Sequence, residues 1–158
     1  MTHIMPPYRF AEPDETNIRA LVEEFYKHVD DDDLLGPIFA RELAGRWDGH
    51  LEKMTRFWSS LVLGSKTYKG NVQEAHRSVF ADIEPRHFAR WITLFLDTVQ
   101  SRYEPVAAVQ FMEPALRVAQ ALQLSAFGWD YRIPAAQRDL LASLKKLRTG
   151  SAADAALD

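Results

Sequence analysis

The sequence contains no cysteine. That absence excludes disulfides, thiolate metal centres and the Cys-x-x-Cys-His attachment of a covalently bound haem. Only seven glycines occur and none adjoins another, so no glycine-rich loop is available to cradle a phosphate. Apolar runs are short and broken by charges, far from the ~20 residues that a membrane-spanning helix needs. Charge of neither sign dominates: the formal net charge is −3, with acids and bases interspersed. No basic field invites nucleic acid, and no Lys/Arg tract would hold the chain on an anionic membrane. The opening MTHIMPPYRFAEPDE has adjacent prolines and early charges but no apolar core before a small-residue cleavage site, so it does not read as a secretory signal. These exclusions lead to the expectation of a cytoplasmic protein.

What is present is helical. With 158 residues, 47% of them hydrophobic, the chain can close one domain around a real core. Ile18, Leu21, Val22, Phe25, Tyr26 and Val29 recur at steps of three and four, the period of one buried helical face. Thr16 is the expected N-cap of that helix, and the run Asp30 to Asp33 is expected to be its solvated, readily unwound end. Pro37-Ile38-Phe39-Ala40 reads as a short turn. Trp47, His50, Leu51, Met54, Phe57, Trp58, Leu61 and Val62 then form a long stripe that stops at Gly64. After the polar loop SKTYKGN, a short stripe holds Val72, Ala75, His76 and Val79. Glu84-Pro85 opens another helix, with Pro at its first position and Phe88, Trp91, Ile92, Phe95, Leu96 and Val99 on its inner face. A further apolar helix spans Pro105 to about Phe127, where Pro114 predicts a kink or two abutting helices. A last amphipathic segment covers Pro134 to Arg148, and GSAADAALD reads as a disordered tail. No segment shows a period of two, so the fold class is all-α.

Two stripes carry a histidine where an apolar residue is expected: His50 and His76. A lone histidine on such a face is ordinarily a satisfied core residue. A pair on facing helices, among many Phe and Trp, strengthens the ligand reading, while aromatics at helical spacing are still by default ordinary core. Zinc is a poor candidate, because no cysteine set or His-Glu-x-x-His motif completes a tetrahedron. An all-α interaction domain, with both histidines in the core, is the reading without a cofactor. His3 lies in the N-terminal stretch, His28 falls off its helix's stripe, and His87 precedes the Phe88/Trp91 face.

FYKHVDDDDLLGPIF, RWDGHLEKMTRFWSSLVLG, YKGN followed by a histidine, and HFARWITLF together resemble the third group of truncated haemoglobins. The likeness is close from Ile18 to Trp91 and looser beyond. The absence of Gly-Gly pairs suits that group. The resemblance implies a globin-like two-over-two helical sandwich with an extra C-terminal helix. It divides the chain into an N-terminal extension (1–15), a truncated globin domain (16–128), an additional helix (129–149) and the tail (150–158).

The resemblance also implies non-covalent haem b, with His76 as the proximal iron ligand and Tyr26, His50 and Trp91 as distal ligand-stabilising residues. Phe39, Met54 and Phe57 would pack on the haem, and Lys53 and Tyr68 would serve its propionates. Proximal imidazoles donate their other ring nitrogen to an acceptor, here expected near the Val72 carbonyl. The implied ligands are dioxygen, nitric oxide, carbon monoxide or peroxide. Two distal donors, each worth about 1.5–3 kcal/mol, would slow dioxygen release by roughly 10²–10⁴, too slow for a carrier. That favours redox turnover, with peroxidase or nitric oxide dioxygenase-like detoxification. Such turnover needs a separate reductase, since no flavin or nicotinamide fold is legible. A gas sensor or high-affinity scavenger without turnover is the alternative.

Overall fold

The computed structural model describes the backbone of residues 9–157 and the side chains of residues 9–148. Seven helices follow in order: α1 (Glu15–Asp31), α2 (Gly36–Leu43), α3 (Trp47–Leu63), α4 (Val72–His76), α5 (Pro85–Arg102), α6 (Pro105–Phe127) and α7 (Ala135–Leu157). A 3₁₀ segment, Arg77–Asp82, joins α4 to α5. The described residues form no strand; Phe10 and Tyr103 make one isolated bridge that ties the incoming chain to the α5–α6 corner. His3 lies outside the described residues, as do the side chains of Thr149 and of the expected tail (150–158).

The α1 and α3 pair lies against the α5 and α6 pair, a two-over-two arrangement. The main core joins Ile18, Leu21, Val22, Phe25 and Val29 of α1 to Phe57 and Trp58 of α3, Phe95 and Val99 of α5, and Phe111 and Met112 of α6. Each large apolar side chain so buried contributes about 1.5–3 kcal/mol, which outweighs the modest intrinsic preference of any single helix. A second core forms where Phe88 and Ile92 meet Leu116, Ala119 and Leu122, and α7 covers it with Leu140, Leu141 and Leu144.

Several local expectations change. The N-cap of α1 is Asp14, not Thr16. Its carboxylate accepts from the Asn17 N–H at 2.7 Å, and the Asn17 side chain accepts from the Asp14 N–H at 2.8 Å. Asn17 is buried and also accepts the Tyr103 hydroxyl at 2.6 Å, so the cap is anchored to the far side of the fold. The segment read as a turn at Pro37 is a two-turn helix, α2, with Pro at its start. Gly64 ends α3 in the left-handed region at φ 70°, and Pro85 opens α5, both as expected. His87 does not stand apart from the buried face: it is buried, and its Nδ1 accepts the Glu84 N–H at 2.8 Å. Helix α6 runs unbroken through Pro114. Leu61, placed on the inner stripe of α3, is exposed. The backbone of α7 stays helical past the expected end at residue 149.

The acidic run is the largest departure. Asp30, Asp31 and Asp33 are exposed, but Asp32 is buried. Its carboxylate accepts from the N–H groups of Leu34 and Leu35 at 3.1 and 2.9 Å and pairs with Arg90 of α5 at 2.6 Å. The α1–α2 turn is therefore held, not frayed. Gly36 is needed there because a Cβ would stand 2.8 Å from the Asp30 carbonyl oxygen. Burial pushes the Asp32 carboxyl up, yet the hydrogen bonds from Leu35 and Arg90, the Arg90 charge and the Leu34 bond together hold it below its ordinary value.

A carboxyl depressed in the folded state stabilises above its unfolded value, and that contribution is lost as pH falls through the folded one. Asp32→Ala should cost about 1–3 kcal/mol at pH 7, since it strands buried N–H groups. Urea denaturation of both proteins at pH 7 and pH 3 should show the difference shrinking in acid.

Candidate functional site

Three helices aim polar or aromatic side chains at one region. Burial of Phe25 against α5 turns the next residue of α1, Tyr26, toward α2 and α3. The Tyr26 ring lies 4.9 Å edge-on from His50, 6.0 Å from Phe39 and 6.2 Å from Trp47. Tyr26 is buried, while Phe39, Trp47, His50 and Met54 are half-buried at the edge of the main core.

Trp91 is reached indirectly. It stacks on Phe95 at 5.1 Å and meets Phe25 edge-on at 5.6 Å, and Phe25 in turn meets Tyr26 at 5.1 Å. On α3, Phe57 is buried and touches Tyr68 edge-on at 5.1 Å. The loop carrying Tyr68 is pinned by Ser60, whose hydroxyl accepts the Tyr68 N–H at 2.9 Å. The Tyr-x-Gly spacing has a local reason as well: a Cβ at Gly70 would stand 2.5 Å from the Tyr68 hydroxyl oxygen. Lys53 is exposed on α3, one turn before Phe57 and on the same flank of the helix.

His76 ends α4 and is half-buried. Its Nδ1 lies 2.7 Å from the Val72 carbonyl oxygen, the acceptor expected one turn back. That bond makes Nδ1 the protonated nitrogen and leaves Nε2 with a lone pair for a metal. The Nε2 of His50 is buried and has no hydrogen-bond partner among the described residues. Burial lowers the His50 pKa to about 4, helped by the charges of Lys53, His76 and Arg46. Burial also pushes the Tyr26 phenol up, so it remains a neutral donor.

The sequence reading did not include Trp47 or Phe25 among the site residues. Trp47 was legible only as one member of a long stripe, and Phe25 only as half of a Phe-Tyr pair. Ser60 gave no signal, because a serine that anchors a loop backbone looks like any exposed helical serine.

Residues 13–123 match the model of the bacterial-like globin family. The chain belongs to the bacterial-like globins. Globins hold haem and bind small gaseous ligands at it, and membership carries both for this chain. Among its relatives is a group 3 truncated hemoglobin from Campylobacter jejuni, 27% identical over 121 residues that cover 73% of this chain and 92% of the relative. The crystal structure of a group III truncated hemoglobin from the same species superposes with a TM-score of 0.71 at 24% identity. The superposition covers 79% of this chain and all of that one, and it speaks for the fold. The globin-like, all-α architecture read from the sequence is the one this globin adopts, and α7 lies beyond the family match.

The residues present fit a haem. A free imidazole nitrogen at His76, an unpartnered buried nitrogen at His50 and a lining of half-buried aromatic rings suit an apolar macrocycle with a metal centre.

A base held below its unfolded pKa costs stability as pH falls from its ordinary value of about 6.5 toward 4, because the unfolded chain binds the proton first. In haem-free protein, His50→Phe should therefore gain stability relative to the unsubstituted chain on going from pH 7 to pH 5. Thermal melts across that range check the sign, and imidazole carbon shifts should place the His50 titration near 4.

Proposed function

We propose that this globin holds haem b non-covalently through His76 Nε2 and carries out redox turnover of a small oxidant or diatomic ligand, with peroxide or nitric oxide detoxification as its class. One observation carries the reading: a buried, unpartnered imidazole nitrogen at His50 sits beside the Tyr26 ring. Polar atoms are rarely buried without a partner, and a ligand that brings an acceptor would supply one. The haem iron, when bound, supplies the coordination position and the one-electron changes.

The chain's own residues supply the surroundings. Tyr26 donates its phenol proton as a hydrogen bond, and it does so as a neutral group at any physiological pH. Trp91 can add its indole N–H, with its ring plane held by the stack on Phe95. His50 is neutral above pH about 4, so it donates from one ring nitrogen and accepts at the other, and can hold or pass a proton at Nε2. Phe39, Met54 and Phe57 would give the apolar wall, and Lys53 and Tyr68 would meet the propionates. Ligands in this reading are dioxygen, nitric oxide, carbon monoxide and peroxide. Electrons come from a separate reductase.

Absorption spectra of ferric, ferrous and CO-bound protein, followed by turnover of nitric oxide or peroxide with a supplied reductant, test the function. Slow release with no turnover would make the protein a scavenger or sensor instead. His76→Ala should lose its Soret band on gel filtration and melt lower, since a ligand that binds only the folded state stabilises by mass action.

Tyr26→Phe deletes a donor and keeps the ring. Losing a charge-assisted bond of about 1.5–3 kcal/mol should speed dioxygen release roughly 10- to 200-fold. Carbon monoxide accepts hydrogen bonds poorly, so its release should change far less. Stopped-flow measurement of both rates decides whether Tyr26 is the dominant donor.

A further inference from the structure

Helix α7 lies beyond the family match, which ends at residue 123, yet it is fastened to α6 at both ends of its described side chains. Near its start, Gln137 accepts the Gln123 amide N–H at 2.8 Å in a buried contact. Farther along, Arg148 pairs at 3.1 Å with the buried carboxylate of Glu113. The two partners are ten residues apart on α6 and eleven on α7, running in opposite senses. At a rise of about 1.5 Å per residue these spans are about 15 Å and about 16.5 Å, so the clamps match and set one antiparallel register. Stranding a buried amide or carboxylate is costly, so sliding by a turn is penalised at both ends.

That register places Leu144. Leu140 and Leu141 pack against the second core alone, whereas Leu144 packs against both cores. Val72 of α4 also packs against both, as do Trp91 and Val118. Leu144 and Val72 therefore lie along one seam between the cores. Helix α4 has little else to hold it. It is five residues long, too short to stand alone as a helix, and Gln73, Glu74 and Ala75 are exposed. Val72 is its one inward apolar side chain, and the Val72 carbonyl oxygen lies 2.7 Å from the His76 Nδ1 that donates to it. The residue that anchors the helix also aims the imidazole.

We propose that α7 is a positioning element for His76: Leu144 supports the seam on which Val72 rests, and so holds the α4 backbone and the imidazole hydrogen bond in place. This rests on the reading above that His76 Nε2 holds the haem iron. A ring nitrogen kept on a carbonyl fixes the ring's orientation and raises the basicity of the other nitrogen toward a metal. Movement of α4 loosens that bond and weakens both effects.

The test uses the full chain loaded with haem and the variant Leu144→Ala. The iron–histidine stretching band in the resonance Raman spectrum of the ferrous protein should shift and broaden. Amide exchange at α4 should quicken roughly tenfold while α1 and α3 keep their rates. Leu144→Met, close in volume, should keep both at their original values. Leu140→Ala removes a leucine of the same helix from the second core alone; it should lower the melting temperature and leave band and exchange unmoved. An unshifted band or unchanged α4 exchange in Leu144→Ala overturns the proposal, as does an equal response to Leu140→Ala, which marks a merely structural role. A change confined to the C–O stretch of the carbon monoxide complex also overturns it, because the effect would then lie at Trp91. Should Leu144→Ala fail to fold, Arg148→Glu opens only the far clamp and should move band and exchange in the same direction; no movement there is equally fatal. A band that survives His76→Ala would sink the ligand reading alone, because α4 exchange in the haem-free chain, measured in the same variants, still decides whether α7 holds α4.

Discussion

Phe25 is the contact on which the rest of the molecule turns. Its ring packs edge-on against Tyr26, Trp91 and Phe95, at 5.1, 5.6 and 5.1 Å. Successive helical residues point about 100° apart, so burying both Phe25 and Tyr26 fixes the rotation of α1 about its axis. With Phe25 committed to α5, Tyr26 has to face α2 and α3. Phe95 extends the arrangement by stacking on Trp58 at 4.7 Å, which brings α3 into the same aromatic network. Offset and edge-on ring pairs are specific in angle as well as apolar, so the network sets orientation where a purely aliphatic core would only set proximity.

The polar side of the site follows from that orientation. Tyr26 and His50 are both removed from water far enough to stay neutral, one by a raised pKa and the other by a lowered one. A neutral pair can be buried at tolerable cost, whereas a buried charge would need a permanent counter-ion. The site so made has hydrogen-bonding capacity in two neutral polar side chains. That combination suits a small ligand that brings its own partial negative charge.

Connecting segments are held by side chains that serve the backbone. Asp32 closes the α1–α2 turn and pairs with α5, Asn17 joins the start of α1 to Tyr103, and Ser60 anchors the loop before α4. Arg102 and Glu24 form a further ion pair between α5 and α1. The Asp32, Asn17 and Arg102 contacts link elements distant in sequence, so the frame around the site is stiffer than its short helices suggest. Helix α7 joins by a separate route, through Leu140, Leu141 and Leu144 on the second core, and Gln123 and Gln137 share a buried hydrogen bond of 2.8 Å beneath it.

Periodicity, proline and glycine by themselves determined the helical class, the inner face of α1, the stop at Gly64 and the start at Pro85. These depend on local backbone geometry and on repetition at 3.6 residues, both of which are readable in a linear string. His50 and His76 were visible because a polar residue interrupts an apolar stripe. Only the tertiary structure decided what the polar and punctuating residues do. Asp32 looks like its three neighbours, and nothing but the approach of Arg90 from α5 separates it from them. Pro114 predicts a break that packing of α6 on four other helices overrides. Trp91 belongs to the buried stripe of α5, yet whether it meets Tyr26 directly or through Phe25 depends on how two helices cross. Such partners are set by contacts between residues far apart in sequence, and a stripe records which face is buried without recording what it is buried against.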